Sequence, residues 1–447
     1  MSTPSRRRFL QASALGAAAL PVVLAGCGQQ AAPAAGGGAG AAAAKLPDSI
    51  LALEPVTPKI VPITDAEREQ RLRKAQELMG QKKINAIFMR GGSSLVYYAN
   101  MHWFNSERPM GMLLPQKGDP IYITPAFEKN RALEQIQRAS FLGHDVRTWQ
   151  EDESPYALIA RTLADLKLAT GRIGIEEQVP YFMSTGIAEA AGRAHLVSAI
   201  PVTAGCRAVK SAAELALMQI ANDATLAVYH AVWQGLQPGM TQIQVGQWID
   251  AAYARQGLRG GASINVGQYT ALPHGSIEPQ HIEEGTVLML DDGCTVEGYQ
   301  SDITRTFVLG KASDKMKKVF EIVQKAQTTA REAARPGVAM GDVDAAARKV
   351  VSDAGYGPDY KYFGHRLGHG IGLDGHEWYY LVRGNQRYRQ VARIGIGAQI
   401  TTVVHRLKAG AEQLNPLVVS RGQGLVDFVV GLDQLALANR LDGNEAA

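Results

Sequence analysis

The sequence predicts an α/β N-terminal domain followed by an α+β C-terminal domain with an internal pseudo-twofold repeat, and three observations carry that prediction. Short apolar runs of strand type, NAIFM (85–89), PIYIT (120–124) and RIGIE (172–176), alternate with helical stretches such as SPYALIARTLADLKLATG. Beyond residue 207 the order helix, Pro-Gly, helix, Gly occurs twice, each time followed by a histidine. Between the two copies, LDDGCTVEGYQSDITRTF (290–307) reads as a β-hairpin with an acid on each arm.

The chain's 447 residues exceed one ordinary core, and 46% hydrophobic with 20% charged residues is the balance of a soluble globular protein. The net charge of +4 includes Arg6, Arg7 and Arg8; without them the balance is near neutral, which excludes nucleic acid as a partner suggested by charge. Those arginines open SRRRFLQASALGAAALPVVLAGCG, the pattern of a Tat export signal. LAGC (24–27) resembles a bacterial lipobox, in which Cys27 would carry lipid and become the mature N-terminus. The expected location is therefore a membrane-anchored lipoprotein facing the periplasm or cell exterior, reached by the Tat route. The alternative is an ordinary signal peptide with an incidental cysteine. The apolar run is shorter than the roughly 20 residues that span a bilayer.

After the signal (1–27), residues 28–50 are mostly Ala, Gly and Pro and read as a flexible tether. Domains are expected at 60–205 and 207–384. Cys206 and Cys294, the cysteines beyond Cys27, do not make a disulfide framework. A helix from about Thr64 presents Leu72, Ala75 and Met79 on one face and ends at Gly80. SAAE (211–214) is a capping box for a helix bearing Leu217, Ile220, Ala221, Ala224 and Val228. Thr241 caps the next helix, which stops at Gly257. In the second copy a helix over SDKMKKVFEIVQKAQTTAREAA ends before Pro336-Gly337, and Asp342 caps a helix that ends at Gly355. His274 follows the first copy and His369 the second, so a site shared between two half-domains is expected.

Folding the hairpin about Val296 and Glu297 sets Asp291 opposite Asp302. Cross-strand neighbours lie about 4.5–5.5 Å apart, and two ionised carboxylates that close repel unless a cation lies between them. The competing reading makes both acids solvated edge residues with Arg305 as a partner. GHRLGHGIGLDGHE (364–377) tips the balance, because it holds His365, His369 and His376 among glycines that permit close backbone approach.

DDGCTVEGYQSDITRTF, GHGIGLDGHE, ALPHG (271–275) and RAVKSAAE (207–214) together resemble the pita-bread metallopeptidases, in the aminopeptidase P and prolidase branch. The resemblance covers about residues 60–384, including a creatinase-type N-terminal domain. It implies that Asp291, Asp302 and His369 are ligands of a two-metal centre, usually manganese, with cobalt or zinc as alternatives. It also implies that His274 and His376 hold the substrate and steady the tetrahedral intermediate, while His365 stands behind the ligands or lines the substrate pocket. The implied reaction is hydrolysis of the bond before proline in short peptides, by a water whose pKa falls from 15.7 towards about 7. The family often forms dimers or tetramers.

The family's two further ligands are glutamates, one in a Glu-Pro-Gly segment and one in a later strand. Residues 385–447 contain neither motif; Glu412, Asp427, Asp433, Asp442 and Glu445 stand in other contexts. A shift of reading frame near Gly384 is the leading explanation, and real divergence the rival. Either way the sequence predicts weak or single-metal binding and little hydrolysis. Two alternatives stay open: an inactive relative that binds peptides or a partner, and a creatinase-like, metal-free hydrolase. The retained Asp291, Asp302 and His369 argue against the last.

Overall fold

A computed structural model describes residues 45–272, 275–291 and 293–387, and the backbone of the strand Val403–His405. Cys27 and the segment expected to be an export signal, His274 and most of the atypical tail lie outside the described residues. Among the described residues, no helix is long and apolar enough to cross a membrane.

Helix α1 (Asp48–Leu51) precedes α2 (Asp65–Lys82), whose N-cap Thr64 accepts from the Glu67 N–H at 3.2 Å. Leu72, Ala75 and Met79 are buried on one face. The helix runs past Gly80, because Lys83 closes it in the left-handed conformation.

Strands β1 (Ala86–Arg90), β2 (Gly111–Pro115), β3 (Ile121–Pro125), β4 (Asp145–Trp149), β5 (Arg172–Ile175) and β6 (His195–Ser198) form one sheet in the order β4-β3-β2-β1-β5-β6. Strand β2 runs antiparallel to both neighbours, and the other pairs are parallel. The central strands of the sheet are largely apolar because both faces are covered. Phe88, Leu113 and Ile123 pack with Ile159 and Leu163 of α5 (Pro155–Asp165) and Met183 and Ile187 of α6 (Tyr181–Ala190). The alternate residues Ile87, Met89, Met112 and Leu114 join a larger core with Met79 and with Tyr97 and Tyr98 of α3 (Ser93–Ala99). Helices α4 (Lys129–Ile136) and α7 (Ile200–Arg207) complete this part.

The second part opens with the predicted capping box: the Ser211 side chain accepts from the Glu214 N–H, and Glu214 reaches back to the Ser211 N–H, at the start of α8 (Ala212–Gly235). Thr241 and Gln244 do the same for α9 (Gln242–Arg255). Helices α10 (Asp314–Ala333) and α11 (Met340–Asp353) repeat the order, packing through Val319, Val323, Ala326, Val343 and Ala347. The expected cap at Asp342 is corrected: α11 starts earlier, after Ala339, and Asp342 lies in its first turn, where the helix dipole favours an acid.

Three small sheets carry the hairpin and the histidines. Strands β8 (Ser263–Val266), β9 (Val287–Asp291), β12 (Arg305–Val308) and β15 (Val403–His405) lie in the order β15-β12-β9-β8. Strands β7 (Arg259–Gly260), β10 (Cys294–Val296) and β11 (Tyr299–Gln300) form the hairpin tip, and β13 (Gly368–Gly370) pairs with β14 (Glu377–Leu381). A buried polar chain ties α2 to this part: Arg71 donates to Glu67 at 2.7 Å and to the Tyr299 hydroxyl at 3.2 Å, and Tyr299 donates to Glu214 at 3.0 Å.

Candidate metal and substrate site

The hairpin forms as predicted, but its register differs from the expected one. Leu290 pairs with Arg305 on one side of the loop and Thr295 with Gln300 on the other, in a single continuous register. The turn is therefore Glu297-Gly298 and not Val296-Glu297. Both turn residues have positive φ, 50° and 86°, the two-residue turn whose twist suits a hairpin and whose second position favours glycine. Asp291 consequently faces Thr304, whose hydroxyl donates to the Asp291 carboxylate. Asp302 precedes Thr304 by two residues and is not the direct opposite number of Asp291.

Asp302 and His369 are brought together across a long stretch of chain, with His369 Nε2 3.6 Å from Asp302 Oδ2. The other ring nitrogen, Nδ1, lies 2.9 Å from the Gly370 carbonyl, which can only accept. The ring proton therefore belongs on Nδ1, and Nε2 turns a lone pair towards a carboxylate oxygen. Burial, the largest cause, with help from His376, Arg366 and His365, pushes the His369 pKa down to about 3 against the opposing Gly370 hydrogen bond. At neutral pH a lone pair and a carboxylate oxygen thus face each other, a donor pair that suits a cation. Among the described residues, no group of three or more His, Cys, Asp or Glu side chains is gathered closely enough to hold a metal ion.

His376 meets His369 edge to face, with ring centroids 4.1 Å apart and planes at 79°. His369 is buried, whereas His376 is exposed, so an incoming molecule would reach His376 first. His365 sits at the margin: its Nδ1 lies 2.7 Å from the Arg366 carbonyl, its ring packs edge-on against Phe363, and its own carbonyl accepts from Arg348 at 2.5 Å. His274 lies outside the described residues.

The loop between His369 and His376 is held from behind by charges whose pairing the sequence did not reveal. Glu377, fully buried, accepts from Arg207, from Lys210 Nζ at 2.8 Å and from the Leu373 N–H at 3.0 Å. Burial alone would raise its pKa, but Arg207 and then Lys210 outweigh that and hold it at about 2. Gly372 makes room for this cluster, since a side chain there would strike Lys210 and Glu377. Arg207 also donates to Asp374 Oδ2 at 2.7 Å. The available signal was two cations, Arg207 and Lys210, in a stretch otherwise reading as a domain junction.

Comparison with known proteins places these residues in a wider group. The profile of metallopeptidase family M24 matches residues 216–395, and that of the creatinase/prolidase N-terminal domain matches residues 71–209. The chain is 33% identical over 319 residues to the probable dipeptidase PepE of Mycobacterium tuberculosis, covering 71% of this chain and 83% of that one. It is 30% identical over 255 residues to the Xaa-Pro dipeptidase of Pyrococcus horikoshii, covering 56% and 71%. The crystal structure of dipeptidase PepE from Mycobacterium ulcerans superposes with a TM-score of 0.69 at 32% identity, covering 75% of this chain and 88% of that one.

Proposed function

The chain belongs to metallopeptidase family M24, with a creatinase-like N-terminal domain and a pita-bread catalytic domain, and we propose that it cleaves the bond before proline in short peptides with the help of a divalent cation. Membership makes it a peptidase; the proline preference, the metal and the residue roles are the proposal. The observation that carries it is His369 Nε2 turned to Asp302 Oδ2 at 3.6 Å, with the exposed ring of His376 beside it.

Asp302 and His369 would hold the cation, with Asp291 on the neighbouring strand as a further donor. A bound dication supplies a lower water pKa and polarises the scissile carbonyl. The chain's own groups do the rest. The Gly370 carbonyl fixes His369 in the tautomer that leaves Nε2 free of a proton. Thr304 donates to one Asp291 oxygen and so orients that carboxylate. His376, at the exposed edge, can donate to the oxygen that gains charge as the carbonyl is attacked.

A second reading is supported by the sequence after Gly384, where no Glu-Pro-Gly segment occurs. With Asp291, Asp302 and His369 as donors, the chain would bind short peptides and turn them over little. We also propose export by the Tat route and lipid attachment at Cys27, as the N-terminal sequence suggests. One experiment separates the readings: metal analysis of the purified chain, with hydrolysis of an Ala-Pro-containing peptide with and without manganese. Manganese-dependent cleavage supports the peptidase reading, peptide binding without turnover the second. Cleavage that ignores metal and chelator alike counts against both.

A further inference from the structure

His376 stands at the end of a loop whose other end is His369, and the charges behind that loop come from distant segments. Asp374, two residues before His376, is the meeting point. Ser93 Oγ donates to Asp374 Oδ1. Gln178 Nε2 donates to Oδ2 at 3.3 Å, and Arg207 Nη2 donates to the same oxygen at 2.7 Å. Ser93 begins α3, Gln178 follows β5 and Arg207 ends α7, so all three donors belong to the part of the chain built on the six-stranded sheet. Neighbouring groups brace the donors. Arg207 Nη1 lies 3.4 Å from the Ser94 hydroxyl, and that hydroxyl donates to Glu176 at 3.0 Å.

The acid end is equally constrained. The Asp374 N–H points at Glu377 Oε1 at 3.3 Å, and the Leu373 N–H donates to the same oxygen at 3.0 Å, so the loop closes on its own glutamate. Arg207 joins the two carboxylates, with Asp374 partly exposed and Glu377 sealed in. Loop ends held this way leave the backbone at His376 little freedom. Cutting the Asp374 contacts frees the loop on the side of the exposed ring, while Glu377 still anchors its buried side.

We propose that Asp374 is a positioning residue, through which Ser93, Gln178 and Arg207 of the sheet domain set the His376 ring against His369. The inference rests on the reading of His376 as a substrate-facing group and names what holds it there. Asp374 itself touches no reacting atom. Its effect reaches the chemistry through the angle and distance of one imidazole, a quantity to which rates are steeply sensitive.

The test uses the full metal-free chain with carbon-13-labelled histidine, so that it does not depend on turnover. Two rings 4.1 Å apart and edge to face shift each other's proton signals, and His376→Gln identifies the pair. In Asp374→Asn the signals of both rings are expected to move together towards unperturbed positions. The double variant Ser93→Ala, Gln178→Leu should move them the same way and serves if Asp374→Asn does not fold. Glu151→Gln, at an exposed ion pair with Arg108, should leave them in place. Unmoved ring signals in a folded Asp374→Asn chain overturn the proposal. In a chain that cleaves Ala-Pro peptides, Asp374→Asn should lower kcat between about tenfold and a hundredfold with a smaller change in KM. A wild-type chain that cleaves nothing sinks the peptidase reading and leaves the ring signals to decide this one.

Discussion

Asp302 and His369 show how much a single residue's meaning depends on its partner's protonation. With Nδ1 committed to the Gly370 carbonyl, His369 presents only a lone pair to Asp302. Removing the carboxylate's charge with Asp302→Asn should therefore weaken manganese binding by more than the roughly 10–100-fold that losing an outer partner costs. Titration of the metal-free chain by electron paramagnetic resonance measures it. Two buried glutamates make opposite predictions about pH. Glu377, held at about 2, contributes stability that is present above the ordinary value near 4.5 and is lost as pH falls from there towards 2. Glu176 is pushed up to about 7, by burial first and by Glu177 next, so its contribution is present below about 4.5 and is lost as pH rises through 7. Thermal melts should show Glu176→Gln gaining on the wild type between pH 4.5 and 7, a window in which Glu377→Gln shows no such trend. A flat difference for Glu176→Gln would count against its burial.

At the scale of elements, the hairpin turn and the helix caps carry the local argument. Gly298 sits at φ 86°, and a Cβ there would meet Leu373 of the histidine loop at 3.0 Å. Gly298→Ala should destabilise the chain by more than about 1 kcal/mol and disturb the loop as well as the turn. Ser211→Ala removes the acceptor for the Glu214 N–H at the start of α8 and should cost about 1 kcal/mol, measurable by denaturant titration. The caps at Ser211 and Thr241 were legible because each satisfies its own backbone groups with no help from elsewhere, whereas the cap expected at Asp342 was not one. The hairpin was legible as an element, but its register was not, since alternation alone does not say which two residues bend. Glycine at the second turn position was the deciding feature.

At the scale of the whole molecule, two parts share one site. The sheet domain supplies Ser93, Gln178 and Arg207, and the second part supplies the hairpin acids and the histidine loop. The tail is the third contributor to consider. Without the two glutamates found in the family's pattern, the purified chain should carry fewer than two manganese ions, as counted by elemental analysis. A chain rebuilt from another reading frame past codon 384, if that frame encodes Glu-Pro-Gly, should carry two and gain activity. Two ions on the unaltered chain would show that other donors complete the centre.

By itself the sequence determined the class of fold, the caps at Ser211 and Thr241 and the repeated helix pairs, because periodicity, turn residues and capping are satisfied within a few neighbouring positions. It also placed Asp302, His369 and His376 among the residues of interest, since their motifs are compact. Only the tertiary structure decided that Asp291 faces Thr304 and not Asp302, that His369 turns its bare nitrogen to Asp302, and that Arg207, Lys210 and Glu377 form one buried cluster. Those facts join residues up to 170 positions apart, and no local pattern records which distant charges will meet once water is excluded.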